Sequence, residues 1–159
     1  RSIINPDSTQ FLRPKEMIHA IQDFCKNTGQ PVPETEGALV RCVLESLALR
    51  YRDVLTSLEK LTGKCISVIH IVGGGSRNAL LNQFTADACQ RPVIAGPIEA
   101  TAIGNVLFQA KSTGELNSLS EIRSVIRDSF SEEMQEFHPR SENLAVWDAA
   151  AARWKTMAF

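Results

Sequence analysis

Three consecutive glycines, residues 73–75, are the feature of this sequence that points most directly to chemistry. They follow the apolar, β-branched run 66–72 and precede a short helical pattern that ends near residue 90. Glycines at such a strand-to-helix turn leave backbone N–H groups open and remove the Cβ atoms that would block a phosphate group or an adenine ring. The following helix adds its positive N-terminal end. The pattern favours a nucleotide-binding turn, and a tight turn that binds nothing is the competing interpretation.

Two standard nucleotide-binding motifs are absent around these glycines. Residues 73–78 lack the third glycine of G-x-G-x-x-G, and Gly63-Lys64 is followed by Cys65 where a P-loop needs Ser or Thr. Asn78, early in the predicted helix, has two interpretations. Its side chain either hydrogen-bonds the edge of an adenine or caps the helix.

The cysteines and histidines predict no metal site. The chain has four cysteines, no C-x-x-C, and no histidine within ligand spacing of a cysteine. We interpret the cysteines as free thiols of a reducing cytosol, which predicts a cytoplasmic protein. Cys25 and Cys42 fall on consecutive predicted helices, which would let them come close in space. His70, inside the apolar run, is interpreted as a core or interface residue.

No carboxylate of the chain is assigned a catalytic role. Asp87 is interpreted as a surface residue of the helix that follows the glycines. Glu99 begins a later helix, where the helix dipole favours a carboxylate without any catalysis. The sequence therefore predicts binding residues but no catalytic residue.

The helices that must position the glycine turn are predicted from apolar residues spaced three and four apart. A continuous apolar stripe predicts that the longest helix runs over residues 34–62. Trp147 and Trp154 lie seven residues apart on the last helix, which indicates packing. Residues 1–14 and 131–142 are expected to be irregular. The other predicted helices cover residues 14–29, a short stretch ending near 90, 99–112, 118–127 and 141–157.

Only two strands are predicted, at residues 66–72 and 92–95, so the sheet is incomplete. Because 66–72 is almost wholly apolar, it fits a central strand covered on both faces, which needs a neighbour on each side. We therefore expect the remaining strands upstream of Arg1, in a larger α/β protein. An open edge would invite self-association of the chain or covering by its first residues.

Composition excludes two classes of partner. Seventeen basic and eighteen acidic residues give a net charge of −1, which provides no basic surface for nucleic acid or for an anionic membrane. No apolar run is long enough to span a bilayer. We expect no nucleic-acid partner and no membrane partner.

The residues around the glycine turn resemble the adenosine motif of the FGGY carbohydrate kinases. The likeness covers residues 71–89, with Gly-Gly-Gly-Ser-Arg-Asn at its centre. It continues through 91–105, where Pro-Val-Ile-Ala-Gly-Pro runs into Glu-Ala-Thr-Ala-Ile-Gly-Asn. This second block is most similar to the family members that phosphorylate L-rhamnulose. Segments 4–12 and 43–51 are similar to the same subfamily, so the likeness extends over essentially the whole chain.

The resemblance implies an α/β fold that is part of an actin-like, ribonuclease-H-like ATPase lobe, helix-rich with an incomplete sheet. Residues 1–159 would be the C-terminal portion of the nucleotide-binding domain, with the N-terminal sugar-binding domain absent from the chain. The implied partners are ATP or ADP, and a small sugar held by that absent domain.

The nucleotide-binding residues implied by the resemblance are those of the turn. Gly74, with Gly73 and Gly75, would approach the phosphates and ribose of ATP. Ser76 belongs to the same motif, and Asn78 would face the adenine.

The implied reaction is transfer of the γ-phosphoryl group of ATP, with Mg²⁺, to the 1-hydroxyl of L-rhamnulose. Such catalysis needs a carboxylate to take the hydroxyl proton. In the family that base lies before the region matched here, so this chain alone is predicted to be inactive. Two alternatives stay open: a family member acting on L-fuculose, xylulose or glycerol, and a non-catalytic interaction module.

Overall fold

Six α-helices and three short strands form within residues 1–157, the part of the chain that the computed structural model describes. The helices are α1 (Met17–Asn27), α2 (Glu36–Thr62), α3 (Ala79–Cys89), α4 (Ala100–Ser112), α5 (Leu119–Ser129) and α6 (Leu144–Thr156). The strands are β1 (Ile69–Ile71), β2 (Val93–Ala95) and β3 (Gln135–Phe137). None of the helices in this part of the chain combines the length and apolarity needed to cross a membrane.

Local capping explains where the helices begin and end. The Thr35 hydroxyl accepts a hydrogen bond from the Ala38 N–H at 3.2 Å and starts α2. Gly63, with a left-handed φ of 65°, ends that helix. Ser118 starts α5 in the same way, accepting from the Glu121 N–H at 3.1 Å. These interactions are local, and the predicted long helix and the cap at Ser118 are confirmed.

The central strand of the sheet is β2. It pairs with β1 in parallel and with β3 antiparallel. Val93 and Ala95 are buried, whereas β1 is only half-buried and His70 is exposed. The strand predicted at 66–72 is limited to residues 69–71, and within residues 1–157 it has β2 on one side and no strand on the other, so the expected incomplete sheet is confirmed. A second neighbour of β1 from outside this chain stays a prediction. His70 is exposed, so it is not a core residue of this part of the chain, and its interpretation as an interface residue stays a prediction.

The third strand lies in segment 131–142, which was expected to be irregular. Phe137 of β3 stands opposite Val93 of β2, while Gln135 and Glu136 are exposed. A three-residue edge strand with two polar residues has no apolar alternation that could reveal it. Pairing with β2, far away in sequence, creates this strand.

The first residues of the chain pack on α2. Ile3 and Ile4 are 1% and 4% exposed, and the Ile4 N–H donates to the Ser46 hydroxyl at 2.9 Å. They therefore do not cover the free edge of β1, and the expectation that the first residues cover this edge is wrong. Self-association at that edge stays a prediction.

The main core lies between α2, α3 and α6. Phe84 and Trp147 meet edge to face with ring centroids 5.6 Å apart, and Trp154 is buried in the same cluster. The packing role predicted for the two tryptophans is confirmed. The apolar stripe of α2 is buried only in part, because Tyr51 and Leu58 remain exposed.

A second core cluster, between α1 and α2, brings two cysteines together. Cys25 and Cys42 are buried free thiols in the same core cluster, so the expected proximity of the two residues is confirmed. Burial raises the pKa of Cys25, and burial raises the pKa of Cys42 to about 12. Burial also raises the pKa of Cys89 to about 12. Cys65 alone among these free cysteines is exposed.

We therefore expect one thiol of the native chain to react rapidly with Ellman's reagent, because only an accessible thiolate is nucleophilic. All four should react once urea unfolds the chain. The release of thionitrobenzoate, followed by absorbance, counts them. Rapid reaction of a second thiol in the folded chain would contradict the buried positions of Cys25, Cys42 and Cys89.

Candidate functional site

The glycine turn lies where β1 ends. Residues 73–77, the glycine turn, form a short 3₁₀ helix, and α3 begins directly after Asn78. Because β1 and β2 are parallel, the segment after β2 reaches the same edge of the sheet, and the Gly73 N–H donates to the Pro97 carbonyl at 3.2 Å. Open α/β sheets bind ligands outside the carboxyl ends of their parallel strands. The turn therefore stands at the edge where a ligand is expected.

Two donors of the turn are left open by the fold. Within residues 1–157, no group outside the turn accepts a hydrogen bond from the N–H of Gly74 or Gly75. Both residues are exposed, and the N-terminus of α3 follows them. Open N–H groups beside a helix N-terminus form an electropositive site that suits an anion such as a phosphate group.

Gly74 has no structural need to be glycine. A Cβ built on it meets nothing within 4 Å, and its φ is not left-handed. The left-handed residue of the turn is Gly73, with a φ of 76°. A need for a positive φ therefore does not explain the glycine at position 74. The absence of a Cβ at Gly74 leaves free space beside the open N–H groups of Gly74 and Gly75.

Ser76 and Asn78 hold the turn from within. Ser76 is buried, and its hydroxyl donates to the Gly73 carbonyl at 2.7 Å. Asn78 Oδ1 accepts from the Leu81 N–H at 3.0 Å, so the capping interpretation of Asn78 is confirmed. Its amide nitrogen has no acceptor within residues 1–157 and is exposed, so it is still available to a ligand.

Asn82 is a supporting residue that the sequence analysis missed. It is fully buried, and its Nδ2 donates to the Ser76 carbonyl at 2.8 Å. This bond ties the first turns of α3 to the glycine turn. The only sequence signal was a polar residue beside the apolar positions of α3, which by itself has no functional meaning.

Asp87 is fully buried, so its prediction as a surface residue is wrong. Its carboxylate accepts bonds from the Arg140 guanidinium at 2.8 and 3.1 Å and from the Arg140 N–H at 2.9 Å. Asn143 and Gln83 add one bond each at 2.9 Å. Burial alone would raise the pKa of Asp87, but these bonds, led by Arg140, outweigh it and hold the pKa below its ordinary value. The carboxylate cross-links α3 to the segment before α6, a structural role.

The described residues offer no preformed metal cage. Among residues 1–157, no three His, Cys, Asp or Glu side chains are grouped to hold an ion. Glu99 is exposed directly before α4, and its side chain makes no capping bond there. The non-catalytic interpretation of Glu99 stays a prediction.

Comparisons of the whole chain with known proteins identify a family model and curated relatives that match it. Residues 1–113 match the FGGY family of carbohydrate kinases, C-terminal domain. A rhamnulokinase of Bacteroides thetaiotaomicron is 52% identical over 155 residues, 98% of this chain and 31% of that protein. A rhamnulokinase of Pectobacterium atrosepticum is 44% identical over 142 residues, 89% of this chain and 28% of that protein. The chain thus spans about a third of the length of these curated relatives.

Solved structures show the same fold. A xylulose kinase from Rhodospirillum rubrum superposes with a TM-score of 0.60 at 22% identity, over 81% of this chain and 25% of that one. A gluconate kinase from Lactobacillus acidophilus superposes with a TM-score of 0.59 at 18% identity, over 76% of this chain and 24% of that one. The fold is that of an actin-like ATPase lobe, helix-rich with a small three-stranded sheet.

Proposed function

Because this chain belongs to the FGGY family of carbohydrate kinases, we propose that it supplies the nucleotide-binding part of a kinase that phosphorylates L-rhamnulose at its 1-hydroxyl. In this proposal, residues 1–159 are the C-terminal portion of the nucleotide-binding domain. The open N–H groups of the glycine turn are the observation that supports the proposed nucleotide binding. The 52% and 44% identities to proteins named rhamnulokinase support L-rhamnulose as the proposed substrate.

ATP brings the phosphoryl group that is transferred, and the chain would hold it by the turn. The N–H groups of Gly74 and Gly75 would donate to phosphate oxygens, helped by the N-terminal end of α3. The free amide nitrogen of Asn78 would donate to an acceptor on the adenine edge. Ser76 would act indirectly, since its hydroxyl is already bonded to the Gly73 carbonyl.

The contribution of these residues would be positioning. Phosphoryl transfer is catalysed mainly by orientation and by fixed dipoles that stabilise charge on the moving group. The bonds from Asn82 to Ser76 and from Ser76 to Gly73 hold the turn in place without the nucleotide. Donors fixed in advance need no reorganisation when the nucleotide binds.

Mg²⁺ would enter with the nucleotide in this scheme. Mg²⁺ is commonly held by substrate phosphates with one or two carboxylates, and the described residues contain no acidic cluster of their own. The base that takes the proton of the sugar hydroxyl, and the sugar pocket, are proposed to lie in the region that the longer relatives add.

A coupled assay that follows ADP release tests the proposal. The complete gene product should show a kcat/KM for L-rhamnulose at least about 10-fold above those for L-fuculose, xylulose and glycerol. The 159-residue chain assayed alone should show no turnover, because its described residues contain no assigned base. A higher kcat/KM for another sugar would contradict the proposed substrate, and turnover by the chain alone would contradict the proposed division of labour.

A further inference from the structure

We infer that the cleft between the first residues, α2, α3 and α6 is a second ligand site, which binds a small organic anion with an apolar or aromatic body. The cleft has a volume of about 880 Å³, within the range of small-molecule sites. No residue of the glycine turn lines it. The site is therefore separate from the proposed nucleotide site, although both use α3.

The cleft carries unbalanced positive charge. Its charged lining consists of Arg1, Arg41, Arg140, Arg153, Glu45 and Asp87. Both carboxylates are already engaged: Glu45 accepts from Arg1 at 3.0 Å and from Arg41 at 2.7 Å, and Asp87 is buried against Arg140. Two positive charges remain without a counter-charge in the lining. An anionic ligand would neutralise them.

Arg153 is the clearest ligand-binding group. Its guanidinium donates to the Arg1 carbonyl, and it has no carboxylate partner within residues 1–157. Arg153 is exposed. A guanidinium with donors to spare binds carboxylate, sulfonate or phosphate oxygens in a charge-assisted way.

The rest of the lining is apolar and aromatic. Phe84 and Trp147 form the floor, and the Arg41 guanidinium lies 5.2 Å from the centre of the Phe84 ring. Leu80 and Val146 stand at the mouth, 47% and 63% exposed. Together with the two aromatic rings, these side chains give the cleft an apolar wall. A bare phosphate ion would leave this part of the cleft unused, so the ligand needs both an apolar body and a charge.

The test uses 8-anilinonaphthalene-1-sulfonate, a fluorescent aromatic anion, and the 159-residue chain. Val146→Glu places a carboxylate at the mouth of the cleft and should weaken probe binding about 10-fold through charge repulsion. Val106→Glu is the matched control, because Val106 is 64% exposed on α4 and does not line the cleft. It should change the affinity less than about 2-fold. Since both side chains are exposed, neither variant should shift the melting temperature.

Two further measurements complete the test. N-phenyl-1-naphthylamine, which has the same rings without the sulfonate, should bind at least about 10-fold more weakly, because it cannot pair with Arg153. Saturating ATP should leave the affinity for the anionic probe unchanged. Equal affinities of the two glutamate variants, equal binding of the two probes, or displacement of the probe by ATP would each overturn the second site. None of these results depends on whether the chain is a sugar kinase.

Discussion

Replacing Arg140 by methionine is expected to lower the free energy of unfolding by about 3–5 kcal/mol at neutral pH. The substitution keeps most of the aliphatic stem but removes the guanidinium from Asp87, whose side chain is fully buried. The carboxylate would keep its bonds from the Arg140 N–H, Asn143 and Gln83. It would nevertheless be a buried charge without a counter-charge, which is the costly situation.

A substitution of the partner residue, Asp87, and a substitution of a surface arginine, Arg50, provide the controls. Asp87→Asn should cost less, about 1–3 kcal/mol, because the Arg140 side chain it leaves behind is 45% exposed and can be hydrated. Arg50→Met removes the same group from Asp7 and Asp53, in exposed pairs, and should cost less than about 1 kcal/mol. Urea unfolding measures all three. A cost for Arg140→Met no larger than that for Arg50→Met would contradict the account of Asp87.

The cost of Arg140→Met should also depend on pH in a defined direction. The pKa of Asp87 is lowered in the folded chain, so its ionised form contributes stability above the ordinary aspartate pKa of about 4. That contribution disappears as the pH falls through the lowered folded-state value. The difference between wild type and Arg140→Met should therefore be largest near neutral pH and shrink in acid. A difference that grows in acid would contradict the assignment.

Replacing Gly74 by valine is expected to weaken ATP binding by about 1–3 kcal/mol, or about 5- to 150-fold. The fold tolerates a side chain there, because an added Cβ meets nothing within 4 Å and the φ is ordinary. The added side chain should therefore lower the affinity for ATP, because the phosphates would have to move away from the N–H groups of Gly74 and Gly75. Sugar affinity should change little, since the sugar pocket is proposed to lie outside this chain.

A matched variant separates lost contact from lost stability. Gly37 in the first turn of α2 also has open space around its Cβ and no left-handed φ, and it lies outside the turn. Gly37→Val should leave both the affinity for ATP and the melting temperature close to those of the wild type. Calorimetric titration of the complete gene product, with melting temperatures from the same preparations, compares the two. A Gly74→Val variant with normal melting and normal ATP affinity would exclude Gly74 from the site.

The parts of the structure that the sequence predicted well are those determined by neighbouring residues. The bounds of α2 follow from an apolar period, the Thr35 cap and Gly63. The glycine turn follows from a strand-like run that meets three glycines. The capping role of Asn78 could be predicted because a cap needs only the next turn of its own helix.

The parts that were missed depend on contacts between distant residues. Asp87 looks like a surface residue in its own helix, and donors from Arg140 and Asn143, 53 and 56 residues away, make its burial tolerable. β3 has no apolar period and exists because β2 has a free edge. That pairing gives β2 two neighbours within this chain, which nothing in residues 92–95 could show.

The position of the nucleotide is tested most directly by the backbone amide resonances of the isotopically labelled chain during titration with Mg-ATP. We predict saturable shifts that are largest at residues 73–78, with the amides of Gly74 and Gly75 among them because their N–H groups are open. Residues of the cleft around Arg153 should shift little. Largest shifts at the cleft, or no saturable shift at 73–78 in millimolar Mg-ATP, would contradict the assignment of the glycine turn as the nucleotide site.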